Sequence, residues 1–154
     1  MGKAITSIEI EASPEKVFAY VTDMEKMNDI TREWAEGKMT SSGPVRLGST
    51  AHFVGTHKRN KGEEWNAVVT EFVKNKSLTI FCKGANEHSH DQTNCHTFEP
   101  TSKGTKFTIS MEYEMPPPTL SFLGKLLYAL GGKRMVEGWL AKIAENLKNA
   151  VEAS

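Results

Sequence analysis

The clearest pattern in the chain lies in its second half. Phe107, Ile109, Met111 and Tyr113 are apolar, and Thr108, Ser110, Glu112 and Glu114 alternate with them. A period of two predicts a β-strand with one face inward and the other in water. Strand-like runs fall at 38–42, 50–57, 64–73, 78–83, 92–98 and 106–115. Turn signals separate them: Ser42-Gly43-Pro44, Asn60-Lys61-Gly62, Lys74-Asn75-Lys76, Gly84-Ala85-Asn86 and the stretch from Pro100 to Gly104. Links this short join neighbouring strands antiparallel. One more strand opens the chain at 4–12, where Ile8 and Ile10 alternate with Glu9 and Glu11.

The helical period appears in two places. Ser13-Pro14-Glu15 reads as a helix start, with Ser as N-cap, Pro at the first helical position and an acid in the first turn. Val17, Phe18 and Val21 supply its apolar face, and Asp23 caps a second short helix carrying Met24, Met27, Ile30 and Trp34. Pro116-Pro117-Pro118 ends the sheet, because proline cannot donate to the ladder. Beyond it, Leu120, Leu123, Leu127 and Leu130 form one stripe, Gly131-Gly132 predicts a break or kink, and Val136, Leu140, Ile143, Leu147 and Val151 form a face suited to lying on a sheet. The expectation is an α+β fold. A curved antiparallel seven-stranded sheet wraps a long C-terminal helix, with two short helices after the first strand. Segregated helices and strands exclude a doubly wound parallel sheet.

Length and charge narrow the function. A chain of 154 residues predicts one domain spanning 1–154. Nineteen basic and nineteen acidic residues give a formal net charge of zero. That argues against a dedicated nucleic-acid binder, which carries a basic excess. No apolar stretch approaches the roughly 20 residues of a membrane span, so stable membrane insertion is not expected. The N-terminus has no apolar signal-peptide core, and two cysteines, Cys82 and Cys95, are not a disulfide scaffold. The expected location is therefore the cytoplasm, with reduced thiols. No Gly-rich phosphate loop occurs, and no cofactor is implied. His88-Ser89-His90 with Asp91, Cys95 and His96 invites a zinc reading, but the spacing does not fit a structural site, so no metal is expected.

Several segments resemble one superfamily in order and spacing. Residues 8–18 (Ile-Glu-Ile-Glu-Ala-Ser-Pro-Glu-Lys-Val-Phe) resemble the opening of START-like, SRPBCC proteins. Residues 44–50 (Pro-Val-Arg-Leu-Gly-Ser-Thr) are similar to that family's turn into its third strand. Val69-Thr70-Glu71-Phe72 with Leu78, Gly104-Thr105 and Asn146-Leu147-Lys148 also match. The branch it most resembles is the polyketide cyclase/dehydrase-like one. The resemblance implies a helix-grip fold with a deep cavity between sheet and long helix. Its register would turn Ala51, Phe53, Gly55 and His57 inward on the third strand, Ile80 and Cys82 on the fifth, and Gln92, Asn94, His96 and Phe98 on the sixth. A closed core does not tolerate Gln, Asn and His on its inner face unless each is hydrogen-bonded, whereas a few polar groups in an apolar concavity orient a small ligand.

The candidate ligand-binding residues follow from this register. They are Phe53, His57, Ile80, Asn94, His96 and Phe98 on the sheet, with Ile109, Met111 and Tyr113 on its alternating strand. Trp34 and Trp139 join them as amphipathic aromatics, and Leu123 and Leu127 as a lid or portal. The leading expectation is binding or transport of a small hydrophobic molecule in the internal cavity. An alternative is a polyketide cyclase or dehydratase in which His57 or His96 moves protons, helped by Asp29, Glu64 or Glu71 if they lie close. A third reading is an interaction module with a filled cavity. No feature sets an oligomeric state.

Overall fold

The computed structural model describes residues 2–114 and 121–154, the side chain of Tyr128 excepted. The chain runs β1 (Gly2–Ile10), α1 (Pro14–Val21), α2 (Met24–Thr31), β2 (Ala35–Met39), β3 (Thr50–Gly55), β4 (Glu64–Val73), β5 (Ser77–Gly84), β6 (Gln92–Pro100), β7 (Thr105–Tyr113) and α3 (Phe122–Ala153). Seven strands form one antiparallel sheet in the order β1-β7-β6-β5-β4-β3-β2. The sheet curls into a half-barrel against α3, the helix-grip arrangement.

Local chemistry explains the short helices. The Ser13 hydroxyl accepts from the Lys16 amide and Pro14 opens α1, while the Asp23 carboxylate accepts from the Lys26 amide at the start of α2. A β-bulge between Val69 and Glu71 interrupts the β4–β5 register, and bulges bend and twist a strand. Gly104 has a φ of 151° and lies so close to β1 that a Cβ there would sit 2.4 Å from the Ile10 carbonyl oxygen. Glycine is the residue that fits both conditions.

One end of the concave face is solid. Phe98 and Phe107 are cross-strand partners with ring centroids 5.5 Å apart, and Phe18 packs edge-on to Phe98 at 5.2 Å and to Phe72 at 5.4 Å. Val136, Leu140, Ala144, Leu147 and Val151 of α3 close this core from above.

Four sequence expectations need correction. Strand β2 occupies Ala35–Met39 rather than 38–42, because the Asn28 side chain holds both the N–H and the C=O of Gly37 at 2.8 Å and draws the strand toward α2. Trp34 follows α2 instead of belonging to it. Helix α3 continues through Gly131 and Gly132 without a break. Each glycine costs a helix about 1 kcal/mol relative to alanine, which the turns on either side outweigh here. Finally, Leu123 and Leu127, expected as a lid or portal, are exposed and do not line the cavity, and Leu130 is exposed with them. The end of the last strand at Met115, the three prolines and Leu120 lie outside the described residues.

Candidate functional site

Beyond the phenylalanine plug the concave face is hollow. A cavity of about 640 Å³ separates the sheet from α2 and α3. That volume falls in the range of small-molecule sites. Strand alternation supplies its floor. Ala51 and Phe53 come from β3, Trp65, Ala67 and Val69 from β4, Leu78, Ile80 and Cys82 from β5, Gln92, Asn94 and His96 from β6, and Ile109, Met111 and Tyr113 from β7. Cross-strand register aligns Ile80 with Asn94, Asn94 with Met111, and His96 with Ile109. The roof is Met24, Met27, Asn28 and Thr31 of α2, then Trp34, then Met135, Trp139 and Ile143 of α3.

Gly37 shapes one wall. A Cβ there would meet the Phe53 ring at 2.4 Å and Met24 Sδ at 2.7 Å, so its absence lets both side chains lie close against β2. The turn after β3 forms another wall. Asn60 is buried; it donates to the Trp34 carbonyl at 2.8 Å and accepts from the His57 amide at 2.9 Å. These bonds place Arg59 and Glu63 on the cavity lining, where Arg59 donates to Met135 Sδ at 3.3 Å. The exposed members of the lining, Arg59, His90 and Glu114, show that the cavity reaches the surface at this end.

Polar groups in the cavity are mostly engaged. The Trp65 indole donates to the His90 carbonyl at 2.9 Å, and Thr31 bonds the carbonyls of Met27 and Ala35. His96 marks the boundary with the solid end, stacked 6.0 Å from Phe107. Its Nδ1 lies 3.3 Å from the Leu78 carbonyl oxygen. A carbonyl only accepts, so Nδ1 carries the proton and Nε2 of the neutral ring is an acceptor. Burial pushes the His96 pKa from 6.5 down to about 4, against a smaller upward pull from Leu78, so the ring is neutral near pH 7. Among the described residues no buried side-chain nitrogen or oxygen lacks a partner, and His96 is part of the cavity lining.

Burial also pushes the Cys82 thiol up to about 11, countered in part by Asn94 and Gln92, so it is a protonated thiol rather than a nucleophile. Cys95 is on the opposite face of the sheet, paired with Thr79 and Ser110, and the two cysteines do not bridge. Glu63 is held above the usual carboxylate range by burial, with His90 and His88 pulling it back.

The candidates thus divide. Trp34, Phe53, Ile80, Asn94, His96, Ile109, Met111, Tyr113 and Trp139 line the cavity. His57 does not; its strand ends at Gly55, and its ring sits 5.6 Å from that of Trp139 in the following turn. Phe98 is spent in the solid core, and Leu123 and Leu127 point to solvent. Glu64 faces His52, Glu71 holds Ser77 and Thr79, and Asp29 is exposed on α2, so none of the three lines the cavity. His88 pairs with Glu87, His90 with Glu114, and Asp91 accepts from the Gly84 amide. Among the described residues no cluster of three metal-ligating side chains occurs. Sequence reasoning missed Arg59 and Glu63, whose positions depend on the Asn60 contacts, and Asn28, whose signal was its place on the apolar side of α2.

A family model described as polyketide cyclase / dehydrase and lipid transport matches residues 1–152. The chain belongs to this family. The fold agrees with solved structures at low identity. TTHA0849 from Thermus thermophilus is 18% identical with a TM-score of 0.77, covering 98% of this chain and 97% of that one. Protein SA2116 from Staphylococcus aureus is 10% identical with a TM-score of 0.74, covering 98% and 93%. Protein CV1439 from Chromobacterium violaceum is 14% identical with a TM-score of 0.70, covering 99% of both chains. Among curated proteins none matches the sequence. As a member of the polyketide cyclase/dehydrase and lipid transport family, the chain shares a fold built around a concave sheet. Among its described residues no helix is long and apolar enough to cross a membrane.

Proposed function

We propose that residues 1–154 act as one domain that holds and carries a small hydrophobic molecule in the cavity between sheet and helix. The observation that carries this reading is the 640 Å³ hollow itself, walled mainly by apolar side chains, Val and Met foremost, with Trp, Ile, Ala, Leu and Phe. Burying apolar ligand surface there supplies affinity at about 25 cal/mol per Å². The lipid transport wording of the family description supports the same class of ligand. Neutral His96 adds selectivity: its Nε2 accepts, so a ligand with one hydroxyl donor is preferred over a purely apolar analogue. A hollow of this size counts against an interaction module with a filled cavity.

A cyclase- or dehydratase-type reaction is the second reading, and one observation favours it. Glu63 is a carboxyl on the cavity wall with its pKa raised by burial, the kind of group suited to proton transfer. The histidines support it less. His57 lies off the cavity lining, and His96 at about 4 is a weak base near neutral pH.

Native mass spectrometry of protein purified from its own host tests the first reading. A stoichiometric apolar molecule is the expected result, and its extraction identifies the class. A clean, empty protein that also ignores a neutral hydrophobic probe contradicts ligand carriage. A bound molecule that is chemically altered on incubation, but unaltered with Glu63→Gln, moves the conclusion to the enzyme.

A further inference from the structure

The cavity does not account for the first turns of α3. Phe122, Leu123, Leu126, Leu127 and Leu130 are between 45% and 85% exposed. The other exposed large hydrophobics, Ile5, Leu47 and Val73, are scattered through the chain, whereas these five fall within nine consecutive residues. Helical spacing makes them one surface: Phe122, Leu126 and Leu130 follow at steps of four, with Leu123 and Leu127 beside them. Lys133 and Arg134, three and four residues beyond Leu130, continue the same strip. From Ser121 to Val136 the only charged residues are Lys125, Lys133 and Arg134, and the first acid is Glu137, which lies 3.8 Å from Lys133.

Three further cations meet the same helix on another side, away from the strip. Lys58, Arg59 and Lys61 form the turn after β3, and its contacts with α3 are direct: Arg59 to Met135 Sδ at 3.3 Å, and the His57 ring to Trp139 at 5.6 Å. A chain with no net charge therefore places Lys133 and Arg134 at the end of one exposed apolar strip whose sixteen-residue segment, Ser121 to Val136, holds no acid.

We infer that this strip docks on an anionic lipid bilayer, with the leucines and Phe122 in the interface and Lys133 and Arg134 at the headgroups. Apolar burial and attraction to anionic lipid act together in interfacial helices. Nine residues span only about 12 Å of helix, far short of a crossing but enough to lie in the interface. A second copy of the chain fits less well, because the segment from Ser121 to Val136 carries Lys125, Lys133 and Arg134 and no acid to pair with them across a two-fold contact. Docking does not depend on the cavity being occupied, so the two proposals fail separately.

The test is flotation of the full chain with vesicles of phosphatidylcholine alone and of phosphatidylcholine with phosphatidylserine. Binding to the serine-lipid vesicles is expected, with weaker binding to phosphatidylcholine and a loss in high salt. Leu123→Asp with Leu127→Asp should lower binding to both by about tenfold or more. Lys133→Glu with Arg134→Glu should abolish the preference for anionic lipid while leaving the weaker apolar binding. Both variants change exposed residues, and circular dichroism checks that they fold. Ligand retention by native mass spectrometry should be unchanged, because Leu123 and Leu127 are not in the cavity lining. Wild-type protein that stays off phosphatidylserine vesicles overturns the inference. So does a leucine variant that binds like wild type. A concentration-dependent dimer that the leucine variant dissolves, without vesicle binding, would show that a second copy covers the strip.

Discussion

The two ends of one concave sheet are built from the same alternation and finished differently. At one end Phe98, Phe107, Phe18 and Phe72 fill the space with rings 5.2 to 5.5 Å apart. At the other end the same strands present Gln92, Asn94, Met111 and Tyr113 to a hollow. His96 and Ile109, one inward step along from the Phe98–Phe107 pair, mark the change. Alternation decides which residues point inward, but side-chain volume and polarity decide whether the inside is core or cavity. The solid end holds the fold together, which leaves the hollow end free to stay unfilled.

The largest expected effect comes from opening the solid end. Phe98→Ala should cost about 3–5 kcal/mol in denaturant unfolding, as ring truncation in a packed core does. Met111→Ala, half-buried on the cavity side, should cost well under half of that and act mainly on ligand affinity. Equal losses at the two positions would erase the distinction between the ends.

The boundary residue sets a pH dependence. His96 takes a proton at its ordinary 6.5 in the unfolded chain but only near pH 4 in the fold. The unfolded state therefore binds more protons between these values, and stability falls as pH drops from about 6.5 toward 4. The loss approaches about 3 kcal/mol at the low end. His96→Leu should flatten that part of the unfolding profile, whereas an unchanged slope would place the titrating group elsewhere.

A smaller effect is expected where the hollow is shaped. Gly37→Ala puts a methyl into the Phe53 ring and Met24 sulfur, so those side chains must move. The expected cost is about 1–3 kcal/mol with weaker ligand binding, since overpacking strains a fitted site. The smallest effect belongs to the exposed strip: Leu127→Asp should change stability by less than about 0.5 kcal/mol, because a surface side chain loses no packing. A large loss there would mean that the strip is covered within the domain.

Much of this architecture is legible in the residues themselves. The alternation of β7, the caps Ser13 and Asp23, and the amphipathic face from Val136 to Val151 are local signals, and the structure follows them. The inward set on β6 needed the family register as well, because a single-residue slip would have turned Asn94 and His96 to water. What local pattern does not carry is long-range contact. Strand β2 begins at Ala35 because Asn28 binds Gly37, and Arg59 reaches α3 because Asn60 anchors its turn to Trp34. The leucines of early α3 share the helical spacing of a core stripe, and spacing alone does not say which side of a helix has a partner.

The most direct test of a binding cavity at the hollow end is a methyl NMR spectrum with labelled methionine, titrated with 1-naphthol, an apolar probe with one hydroxyl. Met24, Met27, Met39, Met111 and Met135 all line the cavity. These five resonances should shift together and saturate, with naphthalene binding more weakly and His96→Leu removing the difference between the two probes. Cavity methyls that stay in place while the probe binds, or a protein that binds neither probe, would contradict the account.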